Sequence, residues 1–154
     1  MRKHNKPPVS YEGLPRLHLV YEGTTRPYQY VRDHHDAEAI LRPLFTGIEH
    51  REEMHALYLN NAGRVLGTYL VSAGGIDSTA VDVRLVLQPA LLSNASGIIL
   101  AHNHPSGVRE PSKEDHVVTR MVRDATKLMC LQFIDHLILM PDNGCLSFTE
   151  EQWL

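Results

Sequence analysis

The feature that most constrains this chain is the stretch from Gly97 to Asp115, GIILAHNHPSGVREPSKED. It opens on an apolar run, Ile98 to Ala101, which reads as a short buried strand. The run ends in His102 and His104. Residues two apart on a strand leave it on the same side, so the two imidazoles stand next to each other at its end. Pro105, Ser106, Gly107 and Pro111 then bar regular structure. Ser112 opens a helix, with Asp115 in its first turn. Two imidazole nitrogens and one carboxylate form the ligand set of a catalytic zinc site with one position left open. A plainer reading stands beside this one. Ser112-x-x-Asp115 is also a capping-box signature, and single histidines in a chain with 10 of them are more often structural than ligating. The adjacent letters His-Asn-His do not make the nuclease signature of that name, whose three positions are dispersed.

The rest of the chain bounds what can surround that stretch. A length of 154 residues suits one domain with a real core. With 43% hydrophobic and 21% charged residues the expectation is a soluble globular protein. A formal charge of −3 and a pI near 6.3 argue against a strong non-specific grip on nucleic acid. The basic cluster Arg2, Lys3 and Lys6 reads as a solvated arm. Cys130 and Cys145 form no Cys-x-x-Cys motif, and Cys130, in an apolar helical run, is expected to be buried. No apolar stretch reaches the roughly 18 residues of a membrane span. The beginning of the chain lacks an apolar signal segment, so the expected setting is cytoplasmic with reduced thiols.

Taken in order, residues 1–35 read as an N-terminal arm with one candidate strand around Leu17, Leu19 and Tyr21. Residues 36–154 read as the domain. His34 and His35 precede Asp36, expected as a helix N-cap, and as neighbours in sequence they are poorly placed to share an ion. Ala37, Ile40, Leu41, Leu44 and Phe45 recur at helical spacing, with Pro43 kinking or ending the helix. Glu52 to Asn60 reads as a strand covered on both faces, with Met54, Ala56 and Tyr58 on one side and Leu57 and Leu59 on the other. Turn chemistry at Asn60, Asn61 and Gly63 returns the chain along Val65–Ser72 as a hairpin. Asp77-Ser78-Thr79 continues a loop after Gly74-Gly75. Arg84–Asn94 reads as a helix despite Pro89, and Ser112–Met129 as the clearest one, with an apolar stripe of Val117, Val118, Met121, Val122, Ala125, Leu128 and Met129. Phe133–Met140 is a further strand, Pro141–Gly144 a turn, and Leu146–Phe148 a last short strand. Interleaved strands and helices predict an α/β fold with a mixed sheet.

At His102-x-His104-Pro105, followed by Ser112-x-x-Asp115, the chain resembles the JAMM (MPN+) zinc metalloprotease family. The flanking Asn94–Ala101 run, Ser106-Gly107, Pro111-Ser112, Asp135-His136 before an apolar run, Tyr58-Leu59-Asn60 and Arg84 resemble its RadC-like branch. The resemblance covers about residues 48–150, while residues 1–35 show no helix-hairpin-helix pattern of the kind that precedes this domain in longer relatives. It implies a deaminase-like single domain, a curved mixed β-sheet with helices on its faces. It implies Zn2+ as cofactor, held by His102, His104 and Asp115. Ser112 would steady a tetrahedral intermediate. Counting back eight residues from Asn60 assigns the general base to Glu52, and parity turns the adjacent Glu53 to the other side. A hydroxyl that caps a helix is awkwardly placed to serve an oxyanion, which counts against a capping role for Ser112. Asp135 and His136 are expected to pack the sheet, with support of the ligands as the alternative. Asn103 is expected to point away from the two histidines and fix the loop, and His116 has no expected role.

Three functions compete. The first is a zinc-dependent metallopeptidase or isopeptidase acting on a peptide or isopeptide-linked protein. The second is a catalytically inactive interaction module of the same shape, against which the complete ligand set argues. The third is a DNA-repair accessory protein, suggested only by the branch's traditional label and opposed by the acidic pI.

Overall fold

Alternation of apolar side chains builds the centre of the molecule. In the computed structural model, which describes residues 27–48, 50–74 and 81–154, five strands form one sheet. They are β1 (Glu53–Leu59), β2 (Val65–Ala73), β3 (Gly97–Asn103), β4 (Gln132–Leu139) and β5 (Cys145–Ser147), in the order β2-β1-β3-β4-β5. β1 and β3 are buried along their whole length, as central strands must be. The sheet is mixed: β1 runs antiparallel to β2 and β3, β3 parallel to β4, and β4 antiparallel to β5. The expected strand at Leu17–Tyr21 and the loop bearing Asp77 lie outside the described residues.

Each face has its own helices. Met54, Ala56 and Tyr58 of β1 and Ile98 and Leu100 of β3 pack against α2 (Val83–Leu92) through Val86 and Ala90 and against α3 (Lys113–Leu128) through Val122. Leu57, Leu59, Ile99, Ala101 and Leu137 face the other way, onto Ala37 and Leu41 of α1 (His34–Leu41). The two-sided burial expected of β1 is therefore present, and each buried leucine, isoleucine, valine or methionine side chain contributes about 1.5–3 kcal/mol. Tyr58 spans the first layer and donates its hydroxyl to the Val86 carbonyl at 3.0 Å. α2 continues through Pro89. Among the described residues no helix is long and apolar enough to cross a membrane.

Three local expectations need correction. α1 is capped by Asp33, whose carboxylate accepts the Asp36 N–H at 2.9 Å. Asp36 sits in the first turn and accepts the Arg32 N–H instead, so His34 and His35 belong to the helix and not to the loop before it. The helix does end early, as Pro43 allowed: α1 stops at Leu41 and Pro43 falls in a short 3-10 turn, Arg42–Phe45.

The stripe on α3 is rotated from its apolar pattern. The face turned to the sheet carries Thr119, Val122 and Thr126, while Val117, Met121 and Leu128 are exposed. Asp115, Thr119, Val122 and Thr126 stand at i, i+4, i+7 and i+11, one face of a helix. The two threonines satisfy their hydroxyls on the helix's own carbonyls, Thr119 on Asp115 and Thr126 on Arg123. The face that carries Asp115 is therefore the one turned inward, and part of the apolar stripe is left exposed. Cys130, finally, is exposed at φ 55 just past the end of α3.

Candidate metal centre

Register places the centre. Met54 pairs with His102 across the antiparallel β1–β3 ladder, so His102 continues the face of Ile98 and Leu100. His104 follows on the same face, pinned where its N–H meets the Leu139 carbonyl at 2.9 Å. The chain then turns. Gly107, at φ +75, donates its N–H to the His104 carbonyl, and a residue with a Cβ would be strained there. The turn hands the chain to α3, whose first turn sets Asp115 against both imidazoles. His102 Nε2 lies 3.1 Å from Asp115 Oδ1 and 3.0 Å from His104 Nε2. His104 Nε2 lies 3.6 Å from Asp115 Oδ2. His102 and His104 are buried and Asp115 nearly so.

Among the described residues this is the one group of three or more potential ligands that could hold a metal ion. Ligands about 2.0–2.1 Å from a tetrahedral zinc stand roughly 3.3–3.4 Å apart, close to the separations found here. The donor chemistry agrees. His104 Nδ1 faces the Val108 carbonyl at 2.7 Å. A carbonyl only accepts, so Nδ1 carries the proton and Nε2 of the neutral ring presents a bare lone pair to the site. A lone pair facing a carboxylate and a second imidazole calls for a cation.

The same surroundings favour the charged form of His104. Burial works to lower the His104 pKa, but the bond to Asp115, the Val108 carbonyl and the charges of Asp115 and Glu52 raise it overall. Burial works to raise the Asp115 pKa, and bonds from His102, His104 and Ser112 hold it well below the usual carboxylate range.

Ser112 caps α3 after all. Its Oγ accepts the Asp115 N–H at 3.0 Å, while its own N–H meets Asp115 Oδ2 at 2.7 Å, a complete capping box. The conflict expected for this hydroxyl dissolves on counting. One lone pair serves the cap, and the O–H remains a donor, spent here on Asp115 Oδ2 at 2.7 Å. Capping and ligation are likewise compatible for Asp115, whose carboxylate reaches the cap and both histidines together.

Glu52 lines the same cleft of about 340 Å3 as His102, His104, Ser112 and Asp115. Continuing the β1–β3 register by two residues sets it across from His104, and its carbonyl accepts the Gly74 N–H. Glu53 is otherwise engaged: its carboxylate is held by Arg51 at 2.9 Å and His55 at 3.4 Å, and His55 packs edge-on against Phe45. Asn103 turns away from the histidines as expected. It accepts the Glu53 N–H at 2.7 Å and donates to the Ile48 and Arg51 carbonyls, each at 3.0 Å. The residue between the two candidate ligands thus holds the segment that delivers Glu52.

Sequence reasoning left two residues unassigned to the site. His136 is fully buried, with Nε2 2.8 Å from His102 Nδ1 and Nδ1 2.7 Å from Thr119 Oγ1. Burial, with the nearby His102, lowers its pKa well below the ordinary value. The expectation of sheet packing holds for Asp135, which accepts from His136 N, Ser147 Oγ and Thr149 N. It is incomplete for His136, which stands directly behind a candidate ligand while stacking on Phe148. His116 joins an aromatic cluster with Phe148 and Trp153. The available signal for Thr119 was its place four residues beyond Asp115, on the same helix face.

A mixed α/β domain that brings a strand-end His-x-His pair onto a helix-start carboxylate defines a class of domain built around a candidate metal centre. The chain belongs to the RadC-like JAB domain family, whose model matches residues 31–153. It is 39% identical over 121 residues to a UPF0758 protein of Porphyromonas gingivalis, covering 79% of this chain and 53% of the relative. It is 40% identical over 116 residues to one of Flavobacterium johnsoniae, covering 75% and 50%. It is 42% identical over 105 residues to one of Aliivibrio fischeri, covering 68% and 46%. The chain thus spans about half the length of these curated relatives.

Proposed function

We propose that this chain is a zinc-dependent hydrolase of peptide or isopeptide bonds, with His102, His104 and Asp115 as ligands, Glu52 as general base and Ser112 as oxyanion donor. The observation that carries this reading is the convergence of two imidazole nitrogens and a carboxylate beside an unengaged glutamate in one cleft. Zinc bound there would polarise a carbonyl and acidify water. Glu52 would take the proton from the attacking water and return it to the leaving amine. Ser112 would turn its O–H from Asp115 Oδ2 to the developing oxyanion, keeping its lone pair on the Asp115 N–H. The α3 cap would then survive the reaction. On this reading the substrates are peptides or isopeptide-linked proteins, whose leaving amine Glu52 would protonate. The net charge of −3 disfavours nucleic acid as a partner. Unpaired Cys130 and Cys145 suit a reducing, cytoplasmic setting.

The test compares Glu52→Gln with Glu53→Gln at equal zinc loading on a peptide and isopeptide library. Glu52→Gln is expected to fold, keep its zinc and lose about 10²–10⁴-fold in rate. Glu53→Gln should keep its rate. Full activity in Glu52→Gln would remove the base from this reading.

A further inference from the structure

The two histidines of the centre have their second nitrogens tied down in different ways. His104 Nδ1 meets a carbonyl, which settles its tautomer at once. His102 Nδ1 meets another imidazole, His136 Nε2, at 2.8 Å, and a neutral imidazole nitrogen can donate or accept. That contact alone leaves open whether His102 presents a lone pair or an N–H to the site. The next contacts outward decide it. Thr119 Oγ1 lies 2.6 Å from the Asp115 carbonyl and 2.7 Å from His136 Nδ1. The carbonyl only accepts, so the Thr119 hydroxyl proton is committed to it. His136 Nδ1 must then donate to Thr119, His136 Nε2 must accept, and His102 Nδ1–H must donate. His102 Nε2 is left bare and facing Asp115.

We propose that Thr119 and His136 are positioning residues that set the tautomer of His102 and so ready its Nε2 for a metal. This rests on the reading of the site as a metal centre. The chain is sealed: Thr119 is 2% and His136 0% exposed, so water has little access to replace a missing partner. It is also closed on itself, because it starts at the backbone of one candidate ligand, Asp115, and ends at the side chain of another. A β-bulge puts it in place. The β3–β4 register slips between Ile98 and Ile99, so that Leu100 pairs with His136. Without the extra residue Leu100 would face Asp135, and a carboxylate would take the imidazole's place on this face.

Thr119→Val keeps the shape and removes the hydroxyl. His136 Nδ1 then faces a methyl group, and its proton moves to Nε2, where His102 Nδ1 can accept it. His102 is driven to carry its own proton on Nε2, in the metal's place. The experiment reads the tautomers in metal-free protein at pH 8 by long-range 1H–15N correlation of the imidazole rings, and Zn2+ affinity by competition with a chromogenic chelator. The wild type and Thr119→Ser should show Nδ1–H on both His102 and His136. Thr119→Val should show Nε2–H on both and bind Zn2+ about 10–100-fold more weakly, with Thr119→Ser within about twofold of wild type. An unchanged His102 tautomer in Thr119→Val overturns the proposal. So does an equal loss of affinity in the Ser and Val variants, which would mark a packing role. If wild-type protein takes no Zn2+, the metal-centre reading falls, while the spectra still decide the hydrogen-bond direction by themselves.

Discussion

Replacing Asn103 with Ala should cost both stability and turnover, and the sizes follow from its contacts. The side chain makes three hydrogen bonds, to Glu53 N at 2.7 Å and to the carbonyls of Ile48 and Arg51 at 3.0 Å. At about 0.5–1.5 kcal/mol net for each, the sum is about 1.5–4.5 kcal/mol. The parts are unequal. The Glu53 N–H is buried on a strand and would be left bare, whereas Ile48 and Arg51 lie where water reaches and can hydrate their carbonyls. A loss of about 2–3 kcal/mol is therefore expected, read as a lowered midpoint in urea at unchanged m-value. The three bonds tie Ile48, Arg51 and Glu53 to the strand bearing His102 and His104, so their loss loosens Glu52 at the edge of the cleft. Turnover should fall more than KM rises, with zinc content unchanged. Amide exchange at Glu53 should quicken. A stability change below about 0.5 kcal/mol with normal turnover would show that the segment is held by other means.

Three further outcomes are expected. Asp115→Ala removes a candidate ligand and half of the capping box together, so it should lose zinc and also about 0.5–2 kcal/mol of stability in the metal-free protein; retained zinc with only a lower melting temperature would leave Asp115 a cap alone. Stability of the metal-free protein should peak around pH 6.5–7, as read from urea midpoints across pH. The raised His104 pKa adds stability that is full below the unfolded value of about 6.5 and is lost as pH rises through the folded value. Buried His136 and His55, whose pKa values are lowered mainly by desolvation, subtract stability as pH falls below about 6.5, because the unfolded chain then binds protons that the fold does not. A monotonic profile across that range would contradict these shifts. In thiol labelling of the folded protein, Cys130 should react well ahead of Cys145, which is partly buried and whose pKa burial pushes up to about 12; equal rates would put the end of α3 elsewhere.

What could be read from the sequence was what depends on parity. Strand alternation put His102 and His104 side by side, Asn103 away from them, and Glu52 and Glu53 on opposite sides. In the structure the two histidines share one face and Asn103 turns to the other, on a β1–β3 ladder that is regular over Met54–Leu59. Glu52 and Glu53 both border the cleft and differ in that Arg51 and His55 hold the carboxylate of Glu53. Parity fails where a residue is inserted. The bulge beside Ile98 decides that His136 rather than Asp135 shares the site's face, and no letter in Phe-Ile-Asp-His announces it. The α3 pattern misled for another reason. Period 3.6 gives the spacing of a stripe but not which way the helix is turned, and here the face of Asp115 and Val122 is turned inward while Val117, Met121 and Leu128 are left exposed. Asp36 could be mistaken for the cap of α1 because Asp33 and Asp36 stand three apart and both bond backbone N–H groups. The reciprocal bonds of Ser112 and Asp115 were legible as a cap and as a ligand set, and the structure combines the two in one turn.

Metal analysis of the purified protein tests the central claim most directly, with wild type, His102→Ala and His104→Ala prepared side by side. Three ligands converging on one point predict about one zinc per wild-type chain and its loss from both variants, because the two remaining ligands hold the ion weakly. Zinc retained at the wild-type level in both His102→Ala and His104→Ala would contradict a metal centre at this site.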